Sequence, residues 1–115
     1  MCEKPINFLN QAAQVVYDKK GANILALEVK EGVSLTEYVL IAEGSVQRHV
    51  SAIAHAILNH FSESPVRVEG LKSGDWVILD YFHVVIHLFC PGLREKYALE
   101  KLENMGDLVD LKIRV

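Results

Sequence analysis

The sequence predicts an α/β domain in which helices pack on a mixed β-sheet. Two segments carry apolar residues at helical spacing, several shorter apolar runs have strand length, and the two kinds of segment alternate along the chain. The chain has 115 residues, of which 50% are hydrophobic and 23% charged, which is enough for one buried core. We therefore expect residues 1–115 to form a single domain.

The first predicted helix lies near the N-terminus. Its apolar positions recur every three or four residues, and they are Ile6, Leu9, Ala13, Val16 and Tyr17. Pro5 suits a first helical turn, and Lys19, Lys20 and Gly21 are typical of a helix end. Two apolar runs of strand length follow, Ile24 to Val29 and Tyr38 to Ala42. Their connection is too short for a helical crossover, which favours an antiparallel pair.

A second helix is predicted after Gly44-Ser45, where Ser45 can cap the first turn. Its apolar stripe consists of Val46, Val50, Ile53, Ala54, Ile57, Leu58 and Phe61. Because this helix separates the second strand from the candidate strand Val66 to Glu69, the order predicts a βαβ unit. These two strands should then be parallel neighbours joined by a right-handed crossover.

The most apolar part of the chain predicts a hairpin, with strands Trp76 to Tyr81 and Val84 to Phe89. After Pro91-Gly92 a third, short helix is expected, with apolar positions Leu93, Tyr97, Leu99 and Leu102. The tail from Leu108 to Val115 alternates weakly, as an edge strand does.

The predicted hairpin sorts its side chains into two faces. If Phe82-His83 is a two-residue turn, Ile78 lies opposite His87. One face then carries Val77, Leu79, Tyr81, Val84, Ile86 and Leu88, and the other carries Trp76, Ile78, Asp80, Val85, His87 and Phe89. Phe-His is unusual in so short a turn, so a longer loop with a shifted register is an alternative.

The polar groups of the hairpin allow a catalytic and a metal-binding interpretation. Asp80 is placed to orient His87 as in a general-base dyad, but no nucleophile accompanies them, since Cys90 belongs to the other face. A hydrogen-bonded structural pair is therefore the favoured interpretation. A metal site formed by His83, His87 and Asp80 lacks the ligand spacing of known sites.

A third interpretation is a binding patch. An exposed Trp76 beside aromatic and polar neighbours is typical of protein interfaces. The alternative is that Trp76 and Phe89 pack beneath a helix as ordinary core residues.

The Gly44-Ser45 turn between a strand and a helix resembles a triphosphate-binding turn of nucleotidyltransferases. That chemistry also requires closely spaced carboxylates to hold magnesium. Glu69 stands alone, and Asp75 and Asp80 are too far apart in sequence for such a motif. The sequence therefore indicates no transferase site and no catalytic residues.

Charge and composition limit the partners. Fifteen acidic and twelve basic residues without a basic block argue against a protein that grips nucleic acid through phosphates. Cys2 and Cys90 have neither disulfide-framework nor zinc spacing, which indicates free thiols. No apolar run reaches membrane-spanning length, and the N-terminus does not resemble a signal peptide. We expect a cytoplasmic protein without membrane contact.

Four segments together resemble the ribosomal silencing factor family, also called the Iojap family. They are "EGSVQRHVSAIAHAI", "VEGLKSGDWVILDY", "VVIHLF" and "REKYALEKL", and the resemblance extends from about Phe8 to Leu102. It implies a nucleotidyltransferase-like fold without transferase activity or cofactor. It also implies a translation repressor that binds ribosomal protein fourteen of the large subunit and blocks association with the small subunit.

The mixed hairpin face and the family segments together nominate partner-binding residues. These are Trp76, Asp80, Tyr81, His87, Phe89, Arg94, Tyr97, Glu100 and Lys101. Many relatives have Gly-Asp where this chain has Phe82-His83, and a tryptophan where it has Glu103. We expect little direct RNA contact, and a homodimer of the free protein is left open. The alternative function is a small nucleotidyltransferase or nucleotide-binding enzyme that uses the Gly44-Ser45 turn.

Overall fold

Two helices and six strands make up the part of the chain that the computed structural model describes, residues 4–29, 36–92 and 106–115. In chain order they are α1 (Pro5–Asp18), β1 (Ala22–Val29), β2 (Tyr38–Glu43), α2 (Gln47–His60), β3 (Arg67–Glu69), β4 (Trp76–Asp80), β5 (Val84–Phe89) and β6 (Gly106–Leu108). They form one α/β domain, which confirms the predicted fold class; the nucleotidyltransferase-like label stays a prediction. Neither described helix has the length and apolar character needed to span a bilayer. The predicted third helix lies outside the described residues.

The six strands form one sheet in the order β3-β4-β5-β2-β1-β6. Strands β2 and β5 are parallel, and every other neighbouring pair is antiparallel, so the sheet is mixed as predicted. The antiparallel pairing of β1 with β2 is also confirmed. The central position of β5 suits its Val, Ile and Leu residues, because a strand between two others in the sheet is shielded along both edges.

The predicted parallel pairing of β2 with the strand near Val66 is wrong. The parallel partner of β2 is β5, while β3 spans only three residues and pairs antiparallel with β4 at the sheet edge. All three β3 residues are exposed, and two of them, Arg67 and Glu69, are charged. Such a short, charged strand is suited to an edge, where it discourages further pairing. The crossover from β2 therefore runs through α2 and two antiparallel strands before β5.

Both helices pack on the same face of the sheet. Their fully buried residues include Phe8, Leu9, Ala12, Ala13 and Val16 of α1, and Val50, Ile53, Ala54 and Ile57 of α2. They meet the alternating inward residues of the central strands, such as Leu40, Val77, Leu79 and Ile86. This cluster of buried residues covers the side of the sheet that we call the helix face. The opposite side, called the second face below, has a smaller buried cluster of its own.

Helix α2 begins at Gln47 without the predicted serine cap. Val46 occupies the cap position, and no side chain caps the helix there. Ser45 instead donates its backbone N–H to Nδ1 of His49 at 2.8 Å. Since Nδ1 accepts, Nε2 carries the ring proton and donates it to the carbonyl oxygen of Lys19 at 2.6 Å. His49 thus joins the end of the first helix to the start of the second.

The C-terminal tail forms a shorter strand than predicted. Only Gly106–Leu108 pairs with β1, and the chain then leaves the sheet. Lys112 donates its N–H to Oδ1 of Asn10 at 3.0 Å, and Arg114 donates to Oε1 of Gln14 at 2.7 Å. The tail backbone is therefore bound by polar side chains of α1, and the predicted strand from Leu108 to Val115 is wrong beyond Leu108.

The hairpin has the predicted two-residue turn. Tyr81 donates its N–H to the Val84 carbonyl at 2.9 Å, and Phe82 adopts a positive φ of 74°. A non-glycine residue rarely adopts this conformation. Oδ1 of Asp80 accepts the Phe82 N–H at 2.8 Å, which stabilises the turn from within. The register places Ile78 opposite His87, as predicted.

Candidate partner-binding face

The two hairpin faces have the predicted side chains. Val77, Leu79, Tyr81, Val84, Ile86 and Leu88 lie on the helix face and are buried. Trp76, Ile78, Asp80, Val85, His87 and Phe89 lie on the second face, and all of them except Phe89 are half-buried. Neither described helix covers Trp76 or Phe89, because α1 and α2 pack on the helix face.

Three rings on the second face form what we call the Trp76 cluster: Trp76, His87 and Phe89. The ring centroids of Trp76 and Phe89 are 5.1 Å apart at an interplanar angle of 27°, and those of Trp76 and His87 are 6.0 Å apart. The indole N–H of Trp76 donates to Nδ1 of His87 at 3.1 Å. Phe89 is only 1% exposed and supports the other two rings from the apolar interior of the second face, beside Val39 and Ile41.

The imidazole of His87 is neutral at physiological pH. Burial is the main cause that lowers its pKa to about 4, and the positive charge of Arg67 lowers it further, whereas Asp80 acts in the opposite direction. A neutral ring that accepts at Nδ1 carries its proton on Nε2. The hydrogen bond with Trp76 therefore requires the neutral form and selects one tautomer.

The favoured interpretation, a hydrogen-bonded pair of Asp80 and His87, is wrong, and among the described contacts these residues do not form the alternative general-base dyad either. Nδ1 of His87 bonds to Trp76, while Asp80 bonds to the turn and lies 3.9 Å from Nε of Arg67. Arg67 also approaches Glu69 at 3.4 Å, and these two side chains are about half exposed. Such exposed pairs contribute little to stability. They do give the Trp76 cluster a charged rim.

Tyr81 lies in the core and not at the surface. It is 2% exposed and contacts Phe8 and Phe61, with ring centroids 4.8 and 5.9 Å away. Burial, and secondly the charge of Glu63, raises the Tyr81 pKa to about 12. Its side chain therefore presents no surface to a partner, although the sequence nominates Tyr81 as a partner-binding residue.

The three residues of the disfavoured metal-site interpretation do not converge. His83 lies on the helix face, against the Phe8 ring and 3.8 Å from Glu63, whereas Asp80 and His87 lie on the second face. Across residues 4–29, 36–92 and 106–115, no group of three or more His, Cys, Asp or Glu is placed to hold a metal ion.

The four remaining residues nominated for partner binding, Arg94, Tyr97, Glu100 and Lys101, lie outside the described residues.

The backbone donors of the Gly44-Ser45 turn already have partners within the protein. Gly44 donates its N–H to the Phe89 carbonyl at 3.0 Å, and Ser45 donates to His49. A triphosphate would have to displace both hydrogen bonds. This turn therefore joins α2 to the sheet instead of presenting free amides.

A cleft beside Trp76 was missed by sequence reasoning. It has a volume of about 650 Å³ and is lined by Ser45, Val46, Gln47, Asp75, Trp76, Cys90 and Pro91. Nε2 of Gln47 donates a hydrogen bond to Oδ1 of Asp75, which lies 28 residues further along the chain. No local pattern connects these two residues, so only the folded chain reveals the pair.

These features define a small α/β domain whose candidate site is a binding surface: an aromatic cluster, a charged rim and an adjoining cleft. The family model described as "Ribosomal silencing factor during starvation" matches residues 3–113. The chain therefore belongs to the ribosomal silencing factor family, a regulatory family and not a family of enzymes.

Individual relatives agree with this assignment. A ribosomal silencing factor of Bacillus subtilis is 38% identical over 109 residues, which cover 91% of this chain and 92% of the relative. A crystal structure of a Bacillus halodurans protein has a TM-score of 0.78 and 34% identity, covering 91% of this chain and 98% of that chain. A mouse protein named for mitochondrial assembly of the large ribosomal subunit is 29% identical over 89% of this chain and 47% of its own length.

Proposed function

We propose that this protein represses translation by binding ribosomal protein fourteen of the large subunit, where it sterically blocks association with the small subunit. Membership of the silencing factor family supports a ribosomal role. The Trp76 cluster is the observation that carries the proposed binding mode, because it presents a supported aromatic surface on the side of the sheet opposite α1 and α2. Repression of this kind requires no bond to be made or broken, and it takes place in the cytoplasm.

The energetics of protein interfaces favour this surface. Tryptophan is enriched among interface residues whose removal costs most binding energy, and such residues are usually surrounded by polar groups that exclude water. Trp76 is held by the Phe89 ring and by its hydrogen bond to His87, so little conformational freedom is lost when a partner covers it. Asp80 and Arg67 supply the polar rim.

The nominated residues divide into contact and support positions. Trp76, His87 and Asp80 are half-buried and are the proposed contacts among the described residues. Phe89 and Tyr81 are buried on opposite faces of the hairpin. We therefore propose that they support the hairpin and do not contact the partner. Arg94, Tyr97, Glu100 and Lys101 remain proposed contacts on the strength of the family segment that contains them.

The excess of acidic over basic residues in the chain favours a protein partner over RNA. Fifteen acidic against twelve basic residues provide few groups to neutralise phosphates. We therefore expect binding to large subunits to weaken only slightly between low and moderate salt. A steep loss of binding over that range would identify ribosomal RNA as the main partner and contradict the proposal.

The decisive experiment compares Trp76→Ala with Tyr17→Ala. Tyr17 is an aromatic residue of α1 that is 39% exposed and lies away from the second face, so it is a matched control. Loss of an aromatic anchor is expected to cost ~2 kcal/mol, which is roughly a 30-fold weaker affinity for isolated ribosomal protein fourteen. Tyr17→Ala should bind normally.

Folding must be measured alongside binding, because Trp76 is half-buried and its truncation also weakens the sheet. Urea unfolding of each variant establishes that it is folded under the binding conditions. Trp76→Phe keeps a ring on Phe89 but loses the indole N–H, so it should retain more affinity than Trp76→Ala. Unchanged binding by folded Trp76→Ala would exclude the Trp76 cluster as the docking surface.

A further inference from the structure

The cleft beside Trp76 lies where three parts of the fold meet. Ser45, Val46 and Gln47 come from the start of α2, Asp75 and Trp76 from the start of β4, and Cys90 and Pro91 from the end of β5. Gly74 allows this close approach, because a methyl group at its Cα would overlap the carbonyl oxygen of Gln47. The backbone of Cys90 is held beside Asp75, since the Cys90 N–H donates to the Asp75 carbonyl at 3.0 Å.

The charge of this cleft is negative. Of the described residues that line it, only Asp75 has an acidic or basic side chain of the Asp, Glu, Lys or Arg type. Gln47 bonds to Oδ1 of Asp75, and within the described part of the chain no hydrogen bond or ion pair reaches Oδ2. Asp75 is exposed, so this oxygen is accessible from the cleft. The carboxylate is thus oriented by one neighbour and retains an acceptor for a second donor.

The remaining walls suit the stem of a long cationic side chain. Trp76 contributes aromatic surface, and Val46, which is 59% exposed, contributes aliphatic surface at the opening. Lysine and arginine commonly lay their methylene groups along apolar surface while the charged end reaches a carboxylate. An indole ring is also the aromatic group that attracts cations most strongly.

We propose that this cleft receives a lysine or arginine side chain of the protein partner, with Asp75 as its counter-ion and Trp76 as the shared wall. The inference rests on the proposed function, because Trp76 belongs both to the docking surface and to the cleft. It adds the chemistry of one partner residue and a second recognition site. A phosphate or a carboxylate is unfavourable in the same place, since Asp75 would repel it.

The partner-binding test uses Asp75→Asn. Asparagine keeps the shape of the side chain and an Oδ1 acceptor for Gln47, but removes the charge. We expect about tenfold weaker binding to isolated ribosomal protein fourteen, as for a lost charge-assisted hydrogen bond. Asp107→Asn, an exposed carboxylate on β6 at the far sheet edge, is the matched control and should bind normally.

A second test requires no ribosomal component. Trp76 is the single tryptophan of the chain, so its fluorescence reports directly on the cleft. Titration with Nα-acetyl-arginine methylamide at low ionic strength should change the emission, whereas the uncharged citrulline analogue and inorganic phosphate should not. Asp75→Asn should abolish the response to the arginine derivative.

The two proposals fail separately. If Trp76→Ala loses partner binding but Asp75→Asn does not, and the arginine derivative gives no response, the docking surface stands and the cation site is overturned. If the arginine response depends on Asp75 while folded Trp76→Ala binds the partner normally, the proposed docking surface fails and the cleft keeps its preference for cations; if the unaltered protein does not bind ribosomal protein fourteen, the proposed function fails whatever the arginine response. A response to phosphate instead of arginine overturns the cation assignment directly.

Discussion

The indole N–H of Trp76 donates to Nδ1 of His87 across neighbouring strands, at 3.1 Å. Because of this bond, the position of the Trp76 ring depends on the protonation state of His87. Protonated His87 carries N–H groups on both ring nitrogens and has no acceptor left for the indole. The Trp76 cluster should therefore be intact when His87 is neutral and disturbed when it is charged.

The first prediction concerns the stability of the protein in acid. Unfolded His87 binds a proton below its ordinary pKa of 6.5, whereas the folded protein binds it only below about 4. Between these values the unfolded state holds more protons, so stability falls as pH falls through this window. The contribution amounts to roughly 3 kcal/mol at most.

His87→Asn isolates this effect, because its side-chain oxygen can accept from Trp76 but does not titrate. Urea unfolding from pH 7 to 4 should show a steeper loss of stability in the wild type than in the variant. Parallel curves for the two proteins would mean that the folded-state pKa of His87 is close to its ordinary value.

The second prediction concerns the buried hydroxyl of Tyr81. Among the described residues, the Tyr81 hydroxyl and Nδ1 of His83 are buried without a hydrogen-bond partner. An unpaired buried polar group is costly, so Tyr81→Phe should raise the free energy of unfolding by about 1 kcal/mol.

Tyr38→Phe is the control, since the Tyr38 hydroxyl lies 3.4 Å from Oε2 of Glu28 at the surface. Its removal should change stability by less than about 0.5 kcal/mol. If Tyr81→Phe instead destabilises the protein, the hydroxyl has a partner such as a buried water molecule.

The third prediction compares two glycines that share a left-handed backbone. Gly74 and Gly92 have φ values of 74° and 95°, and an added methyl group meets nothing within 4 Å at Gly92 but overlaps Gln47 at Gly74. Alanine should cost about 1 kcal/mol at Gly92 through backbone strain alone. Gly74→Ala should cost clearly more, and it should also weaken partner binding by displacing Gln47 from Asp75. Equal losses in urea unfolding would show that the approach of Gly74 to α2 is unimportant.

Several features of the fold follow from local sequence patterns. Alternation with a period of two placed Trp76, Asp80 and His87 on one hairpin face and Tyr81 on the other, because successive side chains of a strand point to opposite sides. Helical periodicity likewise identified α1 and the body of α2. The family segments, taken in order, were specific enough to indicate the ribosomal silencing factors.

The contacts at the N-terminal end of α2 could not be predicted from the local sequence pattern. Ser45 has the right chemistry for a cap, yet its N–H bonds to His49, whose ring also reaches Lys19. That choice depends on where the end of α1 lies, which no window around Ser45 contains.

Tertiary structure alone also decided the neighbour of β2, the path of the tail and the cleft. Sequence order favours pairing with the next strand, but the short, charged β3 is suited to an edge and the apolar β5 to the sheet centre. The Gln47–Asp75 hydrogen bond and the contacts of the tail with Asn10 and Gln14 join residues far apart in the chain. Periodicity reports the local backbone conformation and which side chains share a face. These contacts depend instead on how whole helices and strands pack against one another. The proposed cation site therefore forms only when those elements have packed.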